Sequence, residues 1–136
     1  MGNIYYDTAV SGIRLRIGDL ASPYTYSDDI LGEYLKRSVS IINQKLGWTN
    51  TVASGTFSGQ PTDFELEIYS LQASCIIKSS EATKASAKSL LIKDGDTTID
   101  MSSMAGGVYK TVNSMQAELD SLIKHYLLGR PGYMVY

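Results

Sequence analysis

The chain has 136 residues, of which 43% are hydrophobic and 19% are charged, a balance typical of one folded domain and not of a disordered chain. Its 12 basic and 14 acidic residues give a formal charge of −2, so it lacks the excess of Lys and Arg on which tight binding to nucleic-acid phosphates depends. The single cysteine, Cys75, excludes an internal disulfide framework and fits a reducing compartment.

The first residues, MGNIYYD, have neither the basic nor the apolar segment of a secretory signal peptide. No apolar run approaches the ~20 residues that a membrane-spanning helix needs, so no membrane association is expected. The sequence therefore predicts a protein that is cytosolic when it is made.

The first hydrophobic pattern with a 3.6-residue period predicts a helix over residues 7–17. Arg14 and Arg16 are expected to point away from its inner side, and Gly18 is a residue type that commonly ends a helix. The predicted inner side consists of Val10, Ile13, Ile17 and Leu20.

A second helix is predicted over residues 27–46, after the loop ASPYTY. Ser27 is expected to be its N-cap, because the hydroxyl can accept a hydrogen bond from a backbone N–H that has no partner in the first turn. Asp28 and Asp29 complement the positive end of the helix dipole, and Gly47 is expected to end the helix. The predicted apolar face consists of Ile30, Leu31, Tyr34, Leu35, Val39, Ile42 and Leu46.

Residues 47–61, GWTNTVASGTFSGQP, break the helical period with three glycines, one proline and several β-favouring residues. They predict a short, exposed β-hairpin or a flexible loop. Directly afterwards, Thr62 and Glu65 have the spacing of a capping box, in which each side chain accepts a hydrogen bond from the other residue's backbone N–H.

The third helix is predicted over residues 63–92, about 45 Å long at 1.5 Å per residue. The stretch DGDTTID at 94–100 predicts a turn that caps a fourth helix over 102–128. From Val108 onwards, apolar residues of that helix recur at alternating spacings of three and four, which is typical of bundle packing.

Together these patterns predict a mainly all-α fold, a helical domain over residues 1–128 that resembles a four-helix bundle, with the 47–61 excursion as its hairpin or loop. Gly129 and Pro131 end the last helix and leave residues 129–136, GRPGYMVY, as an extended C-terminal tail. The apolar residues of this tail favour ordering against a partner.

Few residues could support catalysis or metal binding. His125 falls in the last turns of the fourth helix, where histidine favourably meets the negative end of the helix dipole. Cys75 lies beside apolar residues and is expected to be a small buried hydrophobe, and one histidine and one cysteine cannot form a typical zinc site. We therefore predict that the protein is not an enzyme and binds no cofactor or metal.

The order of these features resembles the head-to-tail adaptor (connector, or head-completion) proteins of tailed bacteriophages. The resemblance is carried by Ile17-Gly18-Asp19 at the end of the first helix, by Tyr26-Ser27-Asp28 with Leu31 at the start of the second, and by the stretch IKDGDTTIDMSSMAG between the last two. It extends in order from about residue 8 to residue 128, and its individual motifs are short.

The resemblance implies a virion subunit that forms a ring, typically a dodecamer, beneath the portal, extends the DNA channel and docks the next neck or tail protein. The expected partners are the portal protein, neighbouring copies and that downstream protein, while DNA passes without sequence-specific binding. The tail and the end of the fourth helix would bind the portal through Leu127, Leu128, Arg130, Pro131, Tyr133, Met134, Val135 and Tyr136. The 47–61 loop would contact a neighbouring copy through Trp48, Val52 and Phe57.

Two alternatives stay open from the sequence. The chain could be a small helical protein-binding or regulatory module unrelated to a virion, although no helix carries the clustered Arg, Lys, Asn or Gln of a recognition helix. An enzyme with an unfamiliar site would need a deep polar pocket around His125 or around the carboxylates of residues 94–100.

Overall fold

The structure, a computed structural model, describes residues 4–91 and 98–128, with side chains described for 4–84 and 110–128. The fold is mainly helical with a small two-stranded antiparallel sheet, as the sequence predicts. In chain order the elements are α1 (Ile4–Ile17), α2 (Asp28–Leu46), β1 (Val52–Ala53), β2 (Thr56–Phe57), α3 (Asp63–Leu91) and α4 (Thr98–Leu128). Within the described ranges, none of the helices combines the length and apolar character that crossing a membrane requires.

The N-terminal half of α3 is the centre of the fold. Every residue from Ile68 to Cys75 is buried, so this stretch has no solvent-facing side. A helix buried all round must be surrounded by other elements, and α1, α2 and α4 all pack directly on α3. The contacts between α1 and α2 are less extensive, so α3 is the element that joins the others into one core.

Buried hydroxyls allow close approach of α1 and α2 to α3. The Ser70 hydroxyl donates a hydrogen bond to the Ala9 carbonyl oxygen of α1 at 3.0 Å. Gly12 leaves the room for this approach, because a Cβ placed there would lie only 3.1 Å from the Ser70 Oγ. The buried Ser38 of α2 similarly donates to the Tyr69 carbonyl oxygen. The α1–α3 interface and the α2–α3 interface therefore each contain a hydrogen bond among apolar side chains.

The predicted helix ends are confirmed where capping chemistry sets them. The Ser27 hydroxyl accepts a hydrogen bond from the Ile30 N–H at 3.2 Å, and Gly47 ends α2 in the left-handed conformation with φ 72°. Thr62 and Glu65 form the predicted capping box, with N–H···O distances of 2.8 Å and 3.2 Å. These contacts satisfy backbone groups that have no partner within the helices.

Two helices begin earlier than the sequence predicts. Helix α1 starts at Ile4 instead of residue 7, because Tyr5 and Tyr6 pack against the core and extend the helix by one turn. Helix α4 starts at Thr98 instead of residue 102, so the end of the predicted 94–100 turn is helical. The rest of that turn lies outside the described residues.

Arg14 is buried, with 8% of its surface exposed, which corrects the expectation that it points away from the core. Its guanidinium donates hydrogen bonds to Asp19 Oδ2 at 3.0 Å and to Asp28 Oδ1 at 2.6 Å. The guanidinium carbon also lies 3.9 Å from the centroid of the Tyr24 ring. The charge is tolerated inside the fold because both carboxylates and the ring surround it.

Asp19 organises the loop between α1 and α2. Besides the Arg14 guanidinium, its carboxylate accepts hydrogen bonds from the backbone N–H groups of Thr25 at 2.9 Å and Tyr26 at 3.0 Å. The Thr25 N–H, the Tyr26 N–H and Arg14 together lower the pKa of Asp19 below its ordinary value, against the opposing effect of burial. The ionised carboxylate thus fixes both ends of the loop.

Leu20 and Ile30 are exposed, by 60% and 47%, although the sequence predicts both on inner apolar faces. Gly18 turns the chain out of α1 with φ 77°, so Leu20 no longer follows the helical period. On α2 the buried face is rotated away from Ile30 and includes Ser38 instead, because the Tyr69 carbonyl oxygen offers that hydroxyl an acceptor.

We predict that Asp19→Asn lowers the melting temperature at pH 7 and weakens its dependence on acid. Because folding lowers the pKa of Asp19, the stability that its charge provides is complete above the ordinary aspartate pKa of about 4 and is lost as pH falls through the folded value. Circular-dichroism melts between about pH 2 and pH 7 measure this. Asp120→Asn, at an exposed position on α4 where an amide oxygen can still accept the Gln116 hydrogen bond, is the control and should melt nearly as wild type. Equal acid dependence of wild type and Asp19→Asn would contradict this role of Asp19.

Candidate functional site

An aromatic cluster lies where the hairpin, the start of α3 and the end of α4 meet. Trp48 packs edge-on against Tyr69 and Tyr126, with ring centroids 5.6 Å and 5.3 Å away. Phe57 stacks on Tyr69 at 5.8 Å, and Phe64 stacks on Tyr126 at 5.9 Å. Offset and edge-on aromatic pairs stabilise a contact beyond the area they bury, so this cluster ties three distant parts of the chain together.

Hydrogen bonds satisfy the polar atoms of the same cluster. The Trp48 Nε1–H donates to the Tyr126 hydroxyl at 3.0 Å. The Tyr69 hydroxyl donates to Asn43 Oδ1 at 2.8 Å and accepts from Asn50 Nδ2 at 3.1 Å. The Asn43 Nδ2 in turn donates to the Asn50 carbonyl oxygen at 2.7 Å. Burial raises the pKa of Tyr69 to about 12, so this phenol stays protonated and keeps its donor role at neutral pH.

The hairpin directs its large apolar side chains inward. Ser54 and Gly55 both have positive φ, 52° and 74°, as a tight two-residue hairpin turn requires, and this turn places Val52 opposite Phe57. Val52 and Phe57 consequently face the same side and are buried, Phe57 with 2% exposure. Trp48 is half-buried in the aromatic cluster.

The structure places two of the three predicted contact residues of this segment inside the fold. Val52 and Phe57 are buried in the protein's own core, and Trp48 is half-buried and makes aromatic contacts within the chain. The part of the 47–61 segment that is exposed is mainly polar. It consists of Gly47, Thr49, Thr51, Ala53, Ser54, Thr56, Ser58, Gly59 and Gln60. Contact between this segment and a neighbouring copy stays a prediction.

The structure describes only the beginning of the predicted portal-binding segment. Leu127 is half-buried against the core, and Leu128, the last residue of α4, is 45% exposed. Since Tyr126 is held by Trp48 and Phe64, the last turn of α4 is anchored to the fold. The other predicted residues lie outside the described part of the chain: Arg130, Pro131, Tyr133, Met134, Val135 and Tyr136.

Cys75 and His125 are the candidate chemical groups that the sequence offered. Cys75 is buried, and burial raises the pKa of its thiol to about 11, which keeps it a protonated, weak nucleophile at neutral pH. His125 is exposed in the last turn of α4, as predicted from its position. Among the described residues, no group of three or more His, Cys, Asp or Glu side chains could hold a metal ion.

Two surface features were not predicted. Leu15 is 68% exposed in a groove between α1 and α3, and Ile30 lines a second groove on the outer side of α2. The sequence carries a weak signal for Leu15, because it stands between two arginines and falls on the side of α1 opposite the apolar inner residues. No comparable signal marks Ile30, which fits the apolar period of α2.

Comparison of the chain with models of protein families, with curated proteins and with solved structures gave no match. The resemblance to phage adaptors therefore stays a prediction. Its first two motifs form one structural unit here, since the Asp19 carboxylate accepts the Tyr26 N–H and Ser27 caps α2. Local loop and cap chemistry thus accounts for these residues in the fold.

We predict that Tyr126→Phe lowers the free energy of unfolding by about 1 kcal/mol, because the partly buried Trp48 N–H loses its acceptor. Trp48 is the single tryptophan of the chain, so its fluorescence during urea unfolding measures the effect directly. Tyr24→Phe is the matched control, since Tyr24 is exposed and keeps its ring over Arg14. Equal urea midpoints for both variants would show that the indole hydrogen bond contributes nothing.

Proposed function

We propose that this protein is a structural subunit of a phage neck. Copies of it would form a ring beneath the portal, extend the DNA channel and dock the next neck or tail component. The observation that carries the proposal is the anchored end of α4. Trp48 holds Tyr126 in the aromatic cluster, and the chain continues from there into the apolar segment 129–136.

An anchored starting point favours docking by residues 129–136. A segment whose first residue is fixed to a rigid site has fewer accessible conformations before it binds. It therefore loses less conformational entropy when it becomes ordered on a partner. Tyr133, Met134, Val135 and Tyr136 supply the apolar and aromatic side chains that contribute most at protein interfaces. Arg130 adds one charged donor of the kind that is enriched there.

The charge of the chain suits a DNA conduit. A formal charge of −2 provides little electrostatic attraction for the DNA backbone, and a strongly basic channel would retain DNA instead of letting it pass. A purely structural role also requires no nucleophile. The buried Cys75 thiol and the exposed His125 are consistent with such a structural role. We accordingly propose that the protein is not an enzyme.

We predict that removal of residues 129–136 abolishes binding to the portal protein of the same virus and leaves the helical domain folded. The cut follows Leu128, so α4 and the contact between Trp48 and Tyr126 stay intact. Co-sedimentation with assembled portal rings measures binding, and far-ultraviolet circular dichroism measures helix content.

A matched control keeps the segment and changes only its apolar side chains. Tyr133→Ser, Met134→Ser and Val135→Ser together should reduce portal binding as strongly as the truncation does. Full binding by the truncated chain would contradict docking through this segment. Salt-sensitive binding to duplex DNA, without portal binding, would instead favour a regulatory module.

A further inference from the structure

One exposed apolar surface lies on α1 and the start of α3. Ile4 and Leu15 are 72% and 68% exposed and lie on the same outer side of α1, eleven residues apart. Leu15 lines a groove of about 550 Å³ together with Asp63 and Glu67 of α3. We call this surface the α1 face and define it by Ile4, Leu15, Asp63 and Glu67.

A second exposed apolar surface lies on the outer side of α2. Ile30 is 47% exposed and lines a groove of about 560 Å³ with the half-buried Tyr34. Lys36, Arg37 and Glu33 line the same groove. We call this surface the α2 face and define it by these residues.

The two faces carry opposite charge. Two carboxylates, Asp63 and Glu67, and one guanidinium, Arg16, line the groove of the α1 face, and Arg16 pairs with Glu67 at 3.2 Å and with Glu118, outside the groove, at 3.5 Å. The α2 face has two cations, Lys36 and Arg37, for the single carboxylate of Glu33. Neither cation forms an ion pair with another described residue, so both are free to meet a partner's carboxylates.

The two faces point in opposite directions. Helix α2 meets α1 through Asp28, which binds Arg14, and through Gly32, against which the Tyr6 hydroxyl packs. At 100° per residue, Ile30 and Arg37 lie roughly 180° around α2 from that contact. On α1, Leu15 lies roughly 150° from the side that carries Tyr6 and Arg14.

Because the two faces are complementary in charge and point in opposite directions, they favour head-to-tail assembly over a two-fold dimer. A two-fold dimer would have to bring the α1 face of each copy onto the α2 face of the other at the same time, and oppositely directed faces prevent this. Head-to-tail contact leaves one free face at each end of every oligomer. Repetition of such a contact closes into a ring when the rotation between copies allows it.

We propose that the α1 face of one copy binds the α2 face of the next copy, with Leu15 against Ile30 and with Asp63 and Glu67 facing Lys36 and Arg37. The occupant of each face is therefore a second copy of this chain. The inference rests on the proposed function, because it names the contact through which the neck ring would form. It assigns this contact to helix faces, where Leu15 and Ile30 are exposed, and not to the hairpin, whose Phe57 is buried.

We predict that cysteines at positions 15 and 30 cross-link between copies. Leu15→Cys and Ile30→Cys are introduced separately into the full chain carrying Cys75→Ala, which removes the natural buried thiol. Mild oxidation of an equal mixture should give the mixed dimer, and each variant alone should stay largely monomeric. A chain with both cysteines should give a ladder of oligomers. Leu20→Cys, exposed but on neither face, is the control.

The oxidation is performed with the protein alone and with portal rings present, so that two failures can be told apart. Rings on the portal without the 15–30 cross-link would overturn this contact and leave the neck function standing. The cross-link ladder without any portal binding would support the contact and overturn the neck function. Dimers of Leu15→Cys with itself, or no oligomers under either condition, would also overturn the contact.

We further predict that charge reversal on one face weakens assembly and that reversal on both faces restores it. Arg37→Glu and Glu67→Lys should each weaken self-association about 10-fold, because each places like charges opposite one another. The double variant recreates opposite charges and should return to within about 3-fold of wild type. Lys45→Glu, outside both faces, should change little. Additive losses in the double variant, measured by sedimentation, would contradict the pairing.

Discussion

Burial of Tyr69 near the start of α3 is the constraint on which the other elements depend. Its ring contacts Trp48 and Phe57, its hydroxyl is held between Asn43 and Asn50, and its carbonyl oxygen accepts from α2. One residue therefore meets the hairpin, the end of α2 and, through Trp48, the end of α4. A phenol placed at this depth needs both hydrogen-bond partners, since a buried polar group without them would destabilise the fold.

The connection between α1 and α2 shows that buried charged groups also need partners. Arg14 and Asp19 are both buried, and each is satisfied by more than one partner. Removal of either residue would take one partner from the other's buried charge, which is more costly than the loss of a surface ion pair. The Asp19 carboxylate consequently joins the two ends of the loop that carries Leu20 and Tyr24, and this loop sets where α2 begins relative to α1.

These internal contacts determine which apolar side chains stay exposed. The aromatic side chains of the 47–61 segment pack inside the fold, while Leu15 and Ile30 are exposed. Under the proposed function the helix faces would join copies side by side, and residues 129–136 would bind the portal. The two tasks would then use separate parts of the chain, so the ring contact would not compete with docking.

The sequence by itself determined the helical class, the four helices and the caps at Ser27, Gly47 and Thr62, because periodicity and capping depend on neighbours in the chain. It left residues 47–61 as either a hairpin or a flexible loop. Only the tertiary structure decided that Arg14 lies inside, that Ile30 lies outside and that Phe57 faces the core. These outcomes depend on partners distant in sequence, such as Asp28 for Arg14 and Tyr69 for Phe57. For the same reason a hydrophobic pattern could not separate core residues from those of the two exposed faces. In the sequence, an apolar side chain that packs in the core of the protein cannot be distinguished from one that contacts another molecule.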